Sequence, residues 1–359
     1  NSINKAVWLG FMFLKDFSFE LPDDLIAVKP VYPRDSSKLL VLKSLNSYQN
    51  SLFSDICDYL LPGDLLVVNN TKVNTSKIIG LKKSTKLKIE FTFISNEKDG
   101  IWLCFALPGK KVSLGNLFIF HGVEGKVINK DKEKIYLDFG VKNNEFITIL
   151  SSCGEITLPP YISKLRNLED KDNEDYQTIY AKKSGSIAAP TAGLHFTDNL
   201  LKKIKRKKID IESITLNIGP GTFLPLRSDK VEDNNLHSEK FYVSEQSSDI
   251  LNDVYHNKER RIISIGTTSL RALESSFDSK NFFKPLDTAT NIFIYPGKKI
   301  KSIDGLITNF HLPQSSLFLL ICALIGTKTA LDMYNYAIEN KYRFYSYGDA
   351  CFLLNKNYG

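Results

Sequence analysis

Between residues 65 and 158 the chain alternates short apolar runs with turn residues. The runs are Leu65–Val68, Leu87–Ile94, Ile101–Ala106, Asn116–Phe120, Lys134–Phe139 and Phe146–Leu150, and Gly80, Gly100, Pro108-Gly109, Gly115, Gly122 and Gly140 lie between or beside them. Closely spaced short strands with glycine-rich turns predict a small all-β barrel or sandwich. The texture changes after Leu158-Pro159-Pro160. Thr197-Asp198 supplies a cap and an acidic first turn for a helix with Leu200, Leu201 and Ile204 on one face and the basic run 202–208 on the other. Ile209, Ile211, Ile214, Leu216 and Ile218 then alternate as strands do, up to Gly219-Pro220-Gly221. Further along, the pattern predicts a helix over Glu245–His256, a strand Arg261–Ile265 and a helix Leu270–Phe277. A strand Asn291–Tyr295 and a wholly apolar, buried helix Ser316–Ile325 follow. Such alternation of strand and helix means an α/β sheet domain. The extended, proline-punctuated segment Phe17–Leu42 is expected to pack on that larger domain.

The organisation expected from this pattern is α/β: a larger mixed-sheet domain formed by residues 12–64 and 159–359, with a small all-β barrel-like domain, residues 65–158, inserted into it. Residues 1–11 read as a disordered upstream extension, with Met12 as the natural start. At 359 residues, 43% hydrophobic and 24% charged, the chain is outside the disordered and fibrous classes. A net charge of +7 suits an anionic partner without demanding one. The five cysteines are scattered and form no C-x-x-C pair, so neither a disulfide framework nor a zinc knuckle is expected, and a reducing cytoplasm fits. The longest apolar runs, Ala6–Leu14 and Leu317–Ile325, fall short of the ~20 residues that cross a bilayer, so no membrane association is expected.

Familiar signatures are missing: there is no G-x-x-x-x-G-K-[ST], G-x-G-x-x-G, G-x-S-x-G or H-E-x-x-H. Instead, three of the five histidines sit in dense polar and glycine-rich clusters: Thr191-Ala192-Gly193-Leu194-His195-Phe196-Thr197, His237-Ser238-Glu239 and Thr308-Asn309-Phe310-His311. His121 and His256 read as structural. Gly219-Pro220-Gly221-Thr222 offers backbone amides without side-chain obstruction, for a ribose, carboxylate or phosphate or as a plain turn. Gly266-Thr267-Thr268-Ser269 places helix-N-terminal amides and hydroxyls beside Arg271. Arg271 either meets a ligand's carboxylate or ribose, or pairs with Glu274 three residues along.

The runs from Ala188 to Thr197, Gly219 to Phe223, His237 to Glu239, Gly266 to Glu274 and Thr308 to Pro313, with Tyr342-Arg343-Phe344 and Ser346-Tyr347-Gly348-Asp349-Ala350, closely resemble the S-adenosylmethionine:tRNA ribosyltransferase-isomerase family of queuosine biosynthesis. Upstream, Phe17–Pro22, Pro33-Arg34-Asp35, Pro62-Gly63-Asp64, Pro108–Lys111, Leu158–Ile162 and Tyr176-Gln177-Thr178 match in order. The resemblance spans residues 12 to 354. It implies transfer of the ribosyl part of S-adenosylmethionine, used as co-substrate, onto 7-aminomethyl-7-deazaguanine at the tRNA wobble position, with release of adenine and methionine and formation of epoxyqueuosine. The reaction requires no metal; a monomer is one expectation, and the sequence leaves the oligomeric state open.

Such chemistry needs a general base of near-neutral pKa, because the sulfonium acidifies the adjacent C5′ hydrogens, and histidine suits that role. His195, His237 and His311 are the catalytic candidates, without distinction as to which is the base. Thr191, Gly193, Thr197, Gly219, Gly221, Thr222, Glu239, Thr267, Thr268, Arg271, Asn309, Tyr347 and Asp349 are the substrate-binding candidates. Three positions depart from the family pattern: Asn70 where an aspartate is usual, Gln314 for a lysine, and Leu236 for a methionine. The rival readings are a catalytically lapsed tRNA-binding module of the same fold and a hydrolase built from His195, Ser238 and Glu239. The lysines Lys202, Lys203, Lys205, Lys207 and Lys208 are either RNA contacts or a solvated helix face.

Overall fold

The computed structural model describes residues 11–44, 47–98, 100–219, 221 and 225–355. The chain divides into two compact units. One comprises Asn1–Thr71, Pro160–Lys183 and Ala189–Gly359; the other comprises Lys72–Pro159 and Ser184–Ala188. The larger unit begins with β1 (Lys38–Ser44), β2 (Ser47–Leu52) and β3 (Leu65–Asn69), and the chain passes out of it through β4 (Thr71–Val73). The smaller unit holds β5 (Lys77–Lys82), β6 (Lys88–Lys98), β7 (Ile101–Leu107), β8 (Leu117–Phe120), β9 (Val123–Asp131), β10 (Lys134–Asp138) and helix α1 (Asn143–Cys153). After α2 (Pro160–Ser163), α3 (Asp172–Asp175) and β11 (Lys183–Ser186), the larger unit continues with α4 (Asp198–Arg206), β12 (Asp210–Leu216), β13 (Glu239–Val243) and α5 (Glu245–His256). It ends with β14 (Ile262–Ile265), α6 (Thr267–Ser276), β15 (Leu286–Thr290), β16 (Gly305–Asn309), α7 (Ser316–Ile325), α8 (Thr327–Glu339) and β17 (Ala350–Leu354).

In the smaller unit six antiparallel strands close into a barrel in the order β10-β7-β6-β5-β8-β9. Its strands alternate buried and open positions, as in β5 and β8. Phe146–Leu150 is not the strand its apolar content predicts. Phe146 and Leu150 stand four residues apart on α1, and the Phe146 ring stacks on Phe139 at 3.7 Å among the barrel aromatics. Two apolar residues at helical spacing bury one face, while Asn144, Ser151 and Ser152 stay exposed.

The larger unit is built on a nine-stranded mixed sheet, in the order β15-β13-β12-β3-β14-β16-β17-β1-β2. The four strands β12, β3, β14 and β16 run parallel to one another. Leu65–Val68, expected in the barrel, is instead a central strand of this sheet, and the chain enters the smaller unit only at Lys72. Its unbroken apolar run is what a strand covered on both faces requires, in contrast to the alternation of the barrel strands. The strand expected over Asn291–Tyr295 is absent: β15 stops at Thr290, which pairs with Glu239, the first residue of its partner β13, so no ladder remains beyond it. Helix α6 starts at Thr267, three residues earlier than the apolar pattern predicts.

The amino-terminal segment packs on this unit. Leu14 N–H donates to the Asp229 carbonyl, and Phe19 meets Phe318 and Tyr334 at 5.0 and 5.2 Å. Helix α7 is buried from Phe318 to Ile325. Among the described residues no single helix is long and apolar enough to cross a membrane.

Candidate functional site

The parallel strands place several polar residues along one edge of the sheet. Asn69 closes β3, Gly266 follows β14, and Asn309 closes β16, all at the carboxyl ends. The antiparallel strands β13 and β17 begin at that same edge with Glu239 and Ala350, and β1, parallel to β17, brings Ser37 there just before its first residue. Ligands of open α/β sheets bind at this carboxyl edge, where loops and helix starts present polar groups on a rigid base.

His195 ends a short 3-10 helix, Thr191–His195, and is buried. Its Nδ1 lies 2.8 Å from Ser37 Oγ, its ring stacks on Phe53 at 4.8 Å, and its Nε2 has no hydrogen-bond partner among the described residues. Burial, reinforced by the charges of Arg343 and Arg34, lowers its pKa from the usual 6.5 to about 3, while the nearby Asn309 amide acts in the opposite direction. Asn309 donates through Nδ2 to the carbonyls of Tyr345 (3.1 Å) and Ser346 (3.3 Å), which leaves its buried Oδ1 without a partner. Thr178 Oγ1 and Tyr347 OH are buried and unpartnered as well. Thr178 packs where a side chain at Gly193 would stand, and Tyr347 adjoins the Ser346 carbonyl that Asn309 holds.

A second group surrounds Arg271, in the first turns of α6. Its buried guanidinium pairs through Nη1 with Glu239 Oε2 and donates through Nε to the Ile292 carbonyl at 3.3 Å, while Nη2 has no hydrogen-bond partner among the described residues. Glu239 Oε1 accepts the Gly219 N–H at 3.0 Å. Gly221, Leu236, His237, Glu239, Arg271 and the apolar residues Ile292, Phe293, Ile294, Leu317 and Leu320 line a pocket here, with His237 exposed. The partner expected at three-residue spacing is not used: Glu274 accepts the backbone N–H groups of Lys301 and Ser302, at 2.6 and 2.7 Å.

The remaining candidates serve the scaffold by their visible contacts. His311 is buried with Nε2 3.2 Å from Thr308 Oγ1, and burial lowers its pKa to about 3 as well. Neither buried histidine therefore shows the near-neutral pKa expected of a base. Thr197 caps α4 by accepting the Leu200 N–H and donates to Asp35. Thr268 Oγ1 accepts from Asn69 Nδ2 at 3.3 Å, and the Ser269 hydroxyl turns back to the Ile265 carbonyl. Asp349 holds the N–H groups of Lys38 and Arg343 and the Arg343 guanidinium. Thr191 is half-buried at the start of the 3-10 helix, and Thr267 is buried at the start of α6. Thr222 lies outside the described residues. The hydrolase set is not assembled: His195 bonds Ser37, Glu239 pairs with Arg271, and Ser238 is exposed. Among the described residues no three His, Cys, Asp or Glu side chains are grouped to hold a metal ion.

Residues 14–353 match the family described as queuosine biosynthesis protein. The chain belongs to this family. It is 44% identical over 352 residues, 96% of this chain and 100% of the relative, to the S-adenosylmethionine:tRNA ribosyltransferase-isomerase of Halothermothrix orenii. A solved structure, S-adenosylmethionine tRNA ribosyltransferase from Thermotoga maritima, is similar over 94% of this chain and 100% of that one, with 29% identity and a TM-score of 0.53. Two of the three departures from the queuosine family pattern have a settled local role. Asn70 bonds Ser213 and Thr215 on β12 through its side chain, and Gln314 donates through Nε2 to Ser18 Oγ. Leu236, the third, lines the Arg271 pocket. Ser37, Arg34, Thr178 and Arg343 were not among the candidates. Arg34, Thr178 and Arg343 lie in stretches that match the family pattern, which was the available signal, whereas Ser37 joins His195 from 158 positions away.

Proposed function

We propose that this chain transfers the ribosyl moiety of S-adenosylmethionine to the aminomethyl group of 7-aminomethyl-7-deazaguanine at the wobble position of tRNA. Adenine and methionine leave, and epoxyqueuosine remains in the tRNA. The enzyme acts as a cytoplasmic monomer without a metal.

One observation carries the reading: at the carboxyl edge of the sheet the adjacent His195 and Asn309 each hold a buried polar atom, Nε2 and Oδ1, without a hydrogen-bond partner among the described residues, and the same holds of Thr178 Oγ1, packed by Gly193, and of Tyr347 OH. An unmade hydrogen bond of this kind costs about 1–3 kcal/mol, and a ribose with its hydroxyls supplies donors and acceptors to relieve several at once. Thr178 and Tyr347 both donate and accept, and Asn309 Oδ1 accepts. His195 is the proton acceptor of the set. In the tautomer whose Nδ1–H donates to Ser37 Oγ, the lone pair is on Nε2, which has no hydrogen-bond partner among the described residues. Its pKa of about 3 keeps the ring neutral at physiological pH, the form that accepts a proton, and makes it a weaker base than a near-neutral histidine. His311 spends its Nε2 on Thr308, and His237 stands at the rim of the other pocket.

Purified protein incubated with S-adenosylmethionine and tRNA carrying the aminomethyl base should release adenine and methionine in equal amounts. His195→Ala should lower turnover by roughly 10²–10⁴-fold with the thermal midpoint retained. Wild-type turnover in that variant removes His195 as the base. Tight tRNA binding without adenine release by the wild type points instead to the lapsed module.

A further inference from the structure

The smaller unit carries most of the excess charge of the chain. Residues 72–159 hold fourteen lysines, no arginine and nine acidic residues, so five of the seven net positive charges belong to this part. They are not spread evenly. Strands β5, β7 and β9 run the same way round the barrel, because β6 pairs antiparallel with β5 and β7, and β8 with β5 and β9; all three therefore end at one mouth. The segments that turn there, 82–88, 107–114 and 130–134, contain nine of the lysines against only Asp131 and Glu133. Lys83 pairs with Glu124, and the other eight make no ion pair among the described residues. The turn after β7 is held on two sides. Val112 is fully buried in the barrel core and draws the 3-10 turn Gly109–Lys111 across the mouth. Lys82 stands opposite Phe118 and Lys130 opposite Ile135, both buried, so these two lysines lie on the inner face of their strands. Lys82 Nζ donates to the Lys111 carbonyl at 3.0 Å, and Lys130 Nζ to the carbonyls of Gly109 and Val112 at 2.9 and 2.7 Å. Two ammonium groups thus fix the backbone of the turn, while Lys110 and Lys111 are exposed on it. Four cations gathered at one turn without an ion-paired carboxylate repel one another, a cost that an anion laid over the turn removes.

We propose that this mouth of the barrel, centred on Lys110 and Lys111, is a docking surface for the phosphate backbone of the tRNA. The identity of the polyanion rests on the reaction proposed above. Residue type narrows the partner: a surface made for the carboxylates of a protein favours arginine, whose planar fork pairs them bidentately, whereas lysine meets phosphate oxygens as a point charge. Phosphate contacts position an RNA without reading its bases, which suits a surface that holds the body of the molecule and leaves one nucleotide to the catalytic groups. Leu107 and Leu114, exposed on either side of the two lysines, offer apolar contact to sugar faces. The surface also gives a use to Pro108–Lys111, a run of the family pattern that no group of the candidate site employs.

The test measures binding of an unmodified tRNA transcript to the full chain over a range of salt concentrations. It compares wild type, Lys110→Ala combined with Lys111→Ala, and Lys203→Ala combined with Lys205→Ala, which removes the same charge from α4. The Lys110 and Lys111 variant should reduce the slope of log K against log salt by about 1.4–1.8, two phosphate contacts, and weaken binding roughly ten- to fiftyfold at about 0.1 M salt. Its thermal midpoint and its S-adenosylmethionine Kd should match wild type, and the α4 variant should keep the wild-type slope. An unchanged slope in the Lys110 and Lys111 variant overturns the proposal. Equal losses in the two double variants overturn it too, because net charge alone then accounts for them. Polyglutamate that displaces the transcript as well as RNA of equal charge does overturns the phosphate assignment in favour of an acidic protein. The expected slope difference, in an enzyme whose wild type releases no adenine with the modified tRNA, upholds the surface and fails the reaction.

Discussion

His195 and His311 illustrate how burial alone divides the roles of one residue type. Both are neutral in the fold, with pKa values lowered to about 3, but His311 is satisfied by Thr308 and His195 keeps one nitrogen open. Their shared property has a consequence for stability. In the unfolded chain each titrates near 6.5, so between about 6.5 and 3 the unfolded state binds more protons than the folded one. Stability therefore rises with pH through that window and is lost as pH falls through it. His311→Gln, which retains a group able to bond Thr308 but does not titrate, should flatten the dependence of the urea midpoint on pH between 7 and 5. Parallel profiles for variant and wild type count against this origin. Gly193 carries a different lesson, since a Cβ there would overlap the Tyr180 hydroxyl, and close packing alone demands glycine at a position that reads as a ligand contact.

At the scale of elements, the start of α6 depends on one backbone conformation. Gly266 caps it with φ +86° and ψ 156°, a region essentially reserved for glycine, and donates its N–H to the Ile307 carbonyl of β16. That turn lets α6 begin directly over the carboxyl edge and points Arg271 at Glu239. A Cβ at 266 has room, with Ala192 Cβ 3.5 Å away, so the cost of a side chain is conformational and not steric. Gly266→Ala should lower unfolding stability by about 1–3 kcal/mol in urea titrations. A loss under about 0.5 kcal/mol would show that the backbone relaxes around the alanine.

For the molecule as a whole, the two edges of the large sheet differ in use. The candidate groups gather at the carboxyl edge. The basic helix α4 runs away from Thr197 toward the amino edge, where Gly63, just ahead of β3, bonds the Lys208 carbonyl and Asp210 N–H bonds Asp64. Lys207 spends its ammonium on the Cys57 carbonyl, and Lys202, Lys203, Lys205 and Arg206 are exposed on the side of the helix that leads away from the candidate groups. Lys203→Glu combined with Lys205→Glu should accordingly leave the slope of log K against log salt for tRNA binding within about 0.7 of wild type, less than one phosphate contact. A slope reduced by about two contacts would bring this helix into the RNA footprint.

Periodicity and capping are local, and the sequence alone determined what they govern: the alternating strands of the barrel, the capped helix after Thr197, the buried helix Ser316–Ile325, and a family pattern running in order along the chain. It also marked His195, Asn309, Glu239 and Arg271 as chemically rich. What it could not reach were partners chosen across long separations. Leu65–Val68 has the same apolar content whether it closes a barrel or lies in the middle of a sheet, and Phe146–Leu150 is apolar as strand or helix; only the neighbours that cover each face decide. Arg271 finds Glu239, 32 residues back, in preference to Glu274 on its own helix, because the register of β13 brings that carboxylate to the same edge. His195 is tied to Ser37 for the same reason. Hydrogen-bond and charge partners in a buried site are set by strand order and register, which are properties of the assembled sheet and have no trace in any short window of the chain.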